Sequence, residues 1–192
     1  MAKPKVEKIV LTTTLYRLRK YDACQDRYYH LVSKLGPNWG DKDPINLLDI
    51  LKHNGIFDCL WAFCAVVKHP GGERVMHLMA ADFAEAVLPI YEKEYPNDNR
   101  PRKAIEAARQ YANGETSEEQ RDAASSAAKS AACDAVLASA WTASDVAWAA
   151  KSAARATVRD AAWSAREAAM YSAKASQAKA SQAKIIRKYL GR

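Results

Sequence analysis

The sequence predicts an all-α protein, a single helical domain of about seven or eight helices that ends in a long alanine-rich helical hairpin. Three observations support this class. No glycine or proline occurs from Glu115 to Leu190, and alanine dominates that segment. Before it, apolar residues recur at helical spacings of three and four, and glycine, proline and asparagine separate the periodic stretches. Alanine is the best helix former, and glycine and proline are the worst.

The first elements follow from local signals. Residues 1–10 form a basic arm, with a short extended segment expected near its end. Thr12, Thr13 and Thr14 offer N-caps for a short helix over 15–20. A second helix is predicted over 23–35, where Gly36-Pro37 ends it.

The middle of the chain predicts three more helices. Asp43-Pro44 combines a capping residue with proline at the first helical position, so a helix should begin there and stop near Asn54-Gly55. Residues 56–68 are apolar nearly all round, which is typical of a buried helix. Residues 73–95 should form a long helix that Pro89 kinks.

Arg100-Pro101 begins a further helix that runs to about Tyr111, and Thr116 or Ser117 caps the next one in a capping-box pattern with Glu119 or Gln120. As one helix, the alanine-rich segment would exceed about 100 Å at about 1.5 Å per residue. A break is therefore expected at 139–144, giving helices near 117–140 and 144–189.

This pattern divides the chain into a basic arm (1–10), a helical core region (11–114) and an alanine-rich hairpin (115–192) that packs on the core within one domain. Alanine faces allow close helix approach. Trp141, Trp148 and Trp163 lie along the hairpin. They are either packing residues or an aromatic contact surface, since tryptophan is favoured at binding hot spots.

The net charge is +7, and the excess lies at the two ends of the chain. Basic ends suit an acidic partner, protein or nucleic acid, or are simply a solvated surface. Four scattered cysteines without a CxxC pair predict buried free thiols in a reducing compartment. No signal peptide or membrane span is visible in the sequence, so we expect a cytoplasmic protein that does not bind membranes.

No nucleotide-binding, serine-hydrolase or zinc-protease motif is present in the sequence. Cys64, His69 and His77 could be drawn as a metal site, but their spacing matches no zinc pattern. Asp82 and Glu85, three residues apart, could converge, although they suit an ordinary amphipathic helix. We therefore expect no enzymatic activity, no metal and no cofactor.

Four stretches of the chain are distinctive: the run CLWAFCAV, the helix ending ADFAEAVLPIYEKEYP, the stretch DNRPRKAIEAARQYANGE and the tail rhythm AAWSAREAAMYSA. Through them residues 56–190 resemble a family of immunity proteins that is associated with bacterial polymorphic toxin systems and also occurs in phage genomes. Residues 10–60 are similar to a small helical module found in phage proteins. The resemblance implies a helical inhibitor that binds a toxin and brings no catalytic residues.

The motif residues that carry over are Asp98 and Arg100. Asp98 either caps the helix that Pro101 begins, with Arg100 paired to a nearby acid, or both contact the partner.

The leading hypothesis is a non-enzymatic inhibitor, immunity-type or phage-encoded, that neutralises a bacterial toxin or host defence protein by occlusion. Its predicted partner-binding residues are Trp148, Arg155, Arg159, Trp163, Asp98 and Arg100. One alternative is a nucleic-acid-associated protein that uses its basic ends, supported by the row Arg155, Arg159 and Arg166. Another is an oligomerising structural protein, a homo-dimer for example, whose alanine helices pair between chains.

Overall fold

The computed structural model describes residues 9–137, 168, 171 and 179–191. Their regular structure is helical apart from two strands of two residues each, which confirms the all-α class. By their contacts the residues form two compact units, unit 1 with residues 1–72 and 186–192 and unit 2 with residues 73–185. Compact units of this kind are not the same as domains. The predicted organisation into residues 1–10, 11–114 and 115–192 therefore stays a prediction.

Unit 1 combines short helices with a minimal two-stranded sheet. Its elements are β1 (Thr12–Thr13), α1 (Leu15–Lys20), α2 (Gln25–Leu35), β2 (Ile45–Asn46), α3 (Leu47–Asn54), α4 (Ile56–Ala62) and a 3-10 turn (Phe63–Ala65). The strands pair antiparallel, with Thr12 opposite Asn46 and Thr13 opposite Ile45. The predicted cap of α1 is confirmed, because the Thr14 side chain accepts a hydrogen bond from the Arg17 backbone N–H.

The helix predicted to begin at Asp43-Pro44 begins later, at Leu47. Ile45 and Asn46 are taken by the pairing with β1, and the Asn46 side chain then caps α3 by accepting from the Leu48 N–H at 2.8 Å. The Asp43 carboxylate accepts from the Gly40 N–H at 2.7 Å and does not cap this helix, and the pairing with β1 occupies the two residues that follow Pro44. Gly55, at a φ of +86°, separates α3 from α4 as predicted.

The helix predicted over 56–68 is also shorter, since α4 and its 3-10 turn end at Ala65. The Ala65 carbonyl accepts from Thr13 Oγ1 and from Arg17 Nε, each at 2.7 Å, and Arg17 Nη2 donates to the Val66 carbonyl at 2.7 Å. The Val67 N–H then donates to Thr12 at 2.8 Å. These partners replace the next helical turn, because they satisfy the carbonyls that the helix end leaves open.

The core of unit 1 joins both ends of the described chain. Ile9 forms a parallel bridge with Leu190, and its N–H donates to the Tyr189 carbonyl at 3.1 Å. Ile186, Tyr189 and Leu190 are almost completely buried. Unit 1 is therefore completed by the last residues of the chain.

The cysteine prediction is confirmed for Cys59, which is buried, and whose thiol pKa burial raises to about 12. It is wrong for Cys24, which is exposed because it stands at the N-terminal cap of α2, outside the core. Cys24, Cys59 and Cys64 are free thiols.

Unit 2 is described through four helices, α5 (Gly72–Glu85), α6 (Leu88–Glu94), α7 (Arg100–Ala112) and α8 (Glu118–Leu137). A last helix, α9 (Lys179–Tyr189), leads into the closing segment of unit 1. The single helix predicted over 73–95 is two helices, because Pro89 has no N–H to donate to the carbonyl of Glu85, four residues earlier. The predicted kink is thus a complete break after Glu85.

The predicted capping box of α8 is confirmed. Ser117 Oγ accepts from the Gln120 N–H, and Gln120 Oε1 accepts from the Ser117 N–H, both at 3.3 Å. Arg121, Ser125, Ala128 and Ala131 lie on the buried face of this helix. The predicted break at 139–144 lies outside the described residues.

Candidate functional site

Two of the six predicted partner-binding residues, Asp98 and Arg100, lie in the described part of the chain. Trp148, Arg155, Arg159 and Trp163 lie outside it, as does Arg166. Asp98 and Arg100 lie in and directly after the loop that joins α6 to α7.

Sequence makes this loop a tight one. The Tyr95 N–H donates to the Tyr91 carbonyl at 2.8 Å to end α6, and Pro96 cannot continue the helix. Asn99 occupies the N-cap position of α7 but makes no side-chain cap bond. Asp98 does the capping from one position earlier, because its Oδ1 accepts from the Arg100 N–H at 3.0 Å.

The same carboxylate is held by two further side chains. Arg100 donates from Nε to both carboxylate oxygens at 3.0 and 3.1 Å, and from Nη2 to Oδ2 at 2.7 Å. The Tyr91 hydroxyl donates to Oδ2 at 2.6 Å, and its ring lies in the core of unit 2. Asp98 therefore ties the end of α6, the loop and the start of α7 to one another.

The pKa values of Asp98 and Tyr91 agree with these contacts. Hydrogen bonds from Arg100, chiefly, and from the Tyr91 hydroxyl lower the pKa of Asp98 to about 2. Burial, and then the hydrogen bond to Asp98, raises the pKa of Tyr91 above its ordinary value. A carboxylate held ionised by a bidentate guanidinium is a strong structural tie, and the contacts found at Asp98 fit the structural interpretation of the motif.

Arginines of α7 hold the neighbouring helices in the same way. Asp82 and Glu85 do converge, but on the Arg109 guanidinium, at 2.8 and 2.7 Å. Burial alone would lower the pKa of Arg109, but the hydrogen bonds to Glu85 and Asp82 raise it overall. Both carboxylates are thus held by a single guanidinium, as in a structural ion pair.

The sequence analysis missed a completely buried arginine, Arg121 of α8, which packs against α7. The Arg121 guanidinium lies 4.3 Å from the centroid of the Tyr111 ring and pairs with Asp122 at 2.8 Å and Glu118 at 3.1 Å. The sequence pattern could have indicated this burial. Arg121, Ser125 and Ala128 share one helical face, and the two small residues leave room for a long side chain.

His77 packs against the same ring, with ring centroids 5.5 Å apart at 81°. Burial and the nearby charge of Arg121 lower the pKa of His77 to about 4, so the imidazole is neutral at physiological pH. Its Nδ1 is buried and makes no hydrogen bond within the described residues. No three His, Cys, Asp or Glu side chains converge as metal ligands anywhere in the described ranges, Cys64, His69 and His77 included.

Comparison with known proteins gives one finding. Residues 72–189, more than half of the chain, match the family model described as "Imm-5 like putative immunity protein". The match begins at the first residue of α5, later than residue 56, so the run CLWAFCAV precedes it. No curated protein and no solved structure matches the chain. With the match spanning α5 to α8 and reaching Tyr189 in α9, the chain belongs to the Imm-5 like immunity protein family.

Proposed function

We propose that this protein is a stoichiometric inhibitor, immunity-type or phage-encoded, that neutralises a bacterial toxin or defence protein by occlusion. The observation that carries the proposal is the family match over residues 72–189. Inhibition by occlusion needs a stable surface of the right shape and no catalytic step, so the protein acts without enzymatic activity or cofactor.

The described part of unit 2 suits such a surface because ion pairs tie its loop and helices to one another. Bidentate or two-point arginine contacts join the loop and helices at Asp98–Arg100, Glu92–Arg102 and Asp82–Arg109. A binding surface that is already ordered loses less conformational entropy when a partner docks. Preorganisation of this kind favours a tight, slowly dissociating complex.

The contact residues in this proposal are Trp148, Arg155, Arg159, Trp163, Asp98 and Arg100. Tryptophan and arginine dominate binding hot spots, since both bury large areas and form directional contacts. The partner is a protein of the bacterial host cell, and the protein acts in the cytoplasm. Within the residues described, no helix is long and apolar enough to cross a membrane.

The proposal is tested by measuring whether the protein protects cells from a toxin. The full-length chain is co-expressed with toxins encoded beside its gene, and survival is scored together with recovery of a stoichiometric complex at moderate salt. The variants Trp148→Ala with Trp163→Ala and Arg155→Glu with Arg159→Glu should each weaken binding by at least about tenfold and abolish protection.

The matched control is Lys52→Glu with Lys68→Glu, two exposed cations of unit 1 outside the family match. It reverses the same amount of charge and should leave protection intact. If no tested toxin forms a stoichiometric complex, or if the tryptophan and arginine variants protect as well as the parent chain, the proposal is wrong. A complex that forms only with nucleic acid and dissolves at moderate salt would replace it with the nucleic-acid alternative.

A further inference from the structure

The structure joins the two basic ends of the sequence. The N–H of Ile9, where the described chain begins, donates to the Tyr189 carbonyl at 3.1 Å, and the Ile9 carbonyl accepts from the Gly191 N–H at 2.8 Å. Three lysines and one glutamate precede Ile9 in the sequence: Lys3, Lys5, Lys8 and Glu7. Positive charge from both ends of the chain is therefore attached to one place on unit 1.

The net charge of the protein also belongs to this unit. Unit 1 contains 14 lysines and arginines against seven aspartates and glutamates, whereas unit 2 contains 15 of each. Unit 1 thus accounts for the whole net charge of +7. Such an asymmetry between two parts of one chain is typical of a protein that binds a polyanion.

The last turns of α9 separate cations from apolar residues. Lys184, Arg187 and Lys188, at spacings of three and four, are exposed and lie within an arc of about 100° around the helix. The opposite side of this segment is almost completely buried and consists of Ile186, Tyr189 and Leu190. No acidic residue occurs in α9. Burial of the apolar side therefore directs the three cations toward solvent.

The carboxylates described in unit 1 are mostly engaged elsewhere. Four of its six described aspartates have partners: Asp41, Asp43, Asp49 and Asp58. The other two, Asp22 and Asp26, are exposed where α1 ends and α2 begins. Lys184 and Arg187 make no ion pair with any residue that the structure describes. Their charges can therefore be neutralised by an external anion.

We propose that Lys184, Arg187 and Lys188, which we name the terminal basic surface, bind the phosphate backbone of a nucleic acid without reading its sequence. Lys184 and Lys188 are separated by about 6 Å along the helix axis, and each strand of a duplex carries a charge about every 3.4 Å. The row can therefore face neighbouring phosphates. Contacts between cations and phosphates are sufficient for binding of this kind.

Other polyanions fit the terminal basic surface less well. A basic helix binds an anionic membrane strongly when its apolar side also inserts, but the apolar side of α9 is buried in unit 1. A protein partner is typically held by aromatic or apolar anchors, whereas the exposed residues described on α9 are cations. A phosphate backbone needs neither.

Nucleic-acid binding goes beyond the proposed inhibitory function, because it needs no toxin and is measured with the purified chain. Its absence would leave the inhibitory proposal standing, and an absence of protection would leave nucleic-acid binding standing.

The experiment titrates the full-length chain into a fluorescent duplex of about 20 base pairs and mixed sequence, and follows anisotropy from about 50 to about 200 mM salt. The logarithm of the association constant should fall with the logarithm of the salt concentration, with a slope of about −3 or steeper. Lys184→Gln with Arg187→Gln removes two of the charges. This variant should make the slope shallower by about 2 and weaken binding at low salt by about tenfold or more.

The matched control is Lys93→Gln with Lys103→Gln, which removes the same charge from exposed positions of unit 2. It should bind the duplex within about twofold of the parent chain, with the slope unchanged. Lys184→Arg with Arg187→Lys, which keeps both charges, should retain the affinity, and thermal unfolding of every variant shows whether a loss reflects lost structure.

Three results would overturn the proposal. They are no duplex binding at low salt, an equal loss in the control variant, and tighter binding of phosphatidylserine vesicles or of a polyglutamate peptide than of the duplex at equal charge concentration.

Discussion

Asp98 and Arg100 are the motif residues for which the structure gives geometry, and Asp98→Asn separates their two possible roles. The asparagine keeps the size of the side chain and removes its charge. The pKa of Asp98 falls from an ordinary 3.8 to about 2, which corresponds to at most about 2.5 kcal/mol of folding free energy. Because the Arg100 side chain is 35% exposed, solvent screening reduces the expected loss to about 1–2 kcal/mol.

The sign of the effect fixes its pH dependence. A lowered carboxyl pKa stabilises the folded state above the pKa of the unfolded chain, and this contribution disappears as the pH falls from about 4 toward about 2. Urea unfolding should therefore show Asp98→Asn less stable than the parent chain at pH 7, with a difference that shrinks below about pH 4. Glu106→Gln, which removes an exposed carboxylate of α7, is the control and should change little.

A double-mutant cycle with Arg100→Met completes the test. If Asp98 and Arg100 act as one ion pair in the folded state, their coupling energy should be about 1 kcal/mol or more. Two results would refute the structural role. One is unchanged unfolding of Asp98→Asn at pH 7, and the other is additive effects of the two substitutions. If stability is unchanged while partner affinity falls, Asp98 is a contact residue.

Three further predictions concern buried groups. The pKa of His77 is lowered to about 4, so the neutral imidazole favours the folded state above about pH 6.5 and this contribution is lost as the pH falls from about 6.5 to about 4. The free energy of unfolding of His77→Phe, measured in urea, should therefore depend less on pH in that range. Arg121→Ala should cost about 2–4 kcal/mol, and Arg121→Met clearly less because it keeps the buried stem, as judged by thermal and urea unfolding. Leu190→Ala should cost about 2–5 kcal/mol, and amide hydrogen exchange should quicken in β1 and β2 more than in α7.

Local signals in the sequence located much of this fold. The Thr14 cap, the start of α7 at Arg100 and the capping box at Ser117 depend on neighbours within four residues, and all three are found where predicted. Asp43-Pro44 misled because β1, some thirty residues earlier, pairs with Ile45 and Asn46. The end of this helical stretch at Ala65 could not be predicted either, since Thr13 and Arg17 reach the Ala65 carbonyl across 52 and 48 residues of sequence.

The site was predicted less completely than the fold. The motif reading singled out Asp98 and Arg100, and a pairing of Arg100 with a nearby acid was expected, but the identity of that acid as Asp98 itself was not. The Tyr91 hydroxyl was not predicted to take part, because it lies seven residues before Asp98 and contacts the carboxylate only through the course of the loop between them. Such contacts depend on the three-dimensional course of a loop, which periodicity does not encode.

The arginines of α7 clarify where partner specificity should be sought. Arg100, Arg102 and Arg109 engage carboxylates of the preceding loop and helices, so their charges build the framework. Replacing Arg102 or Arg109 by methionine should then reduce protection only as far as it reduces stability. Replacing Trp148 or Arg155 should reduce protection with stability unchanged, if those residues form the inhibitory surface. A loss of affinity in stable Arg102→Met would instead place the partner on α7.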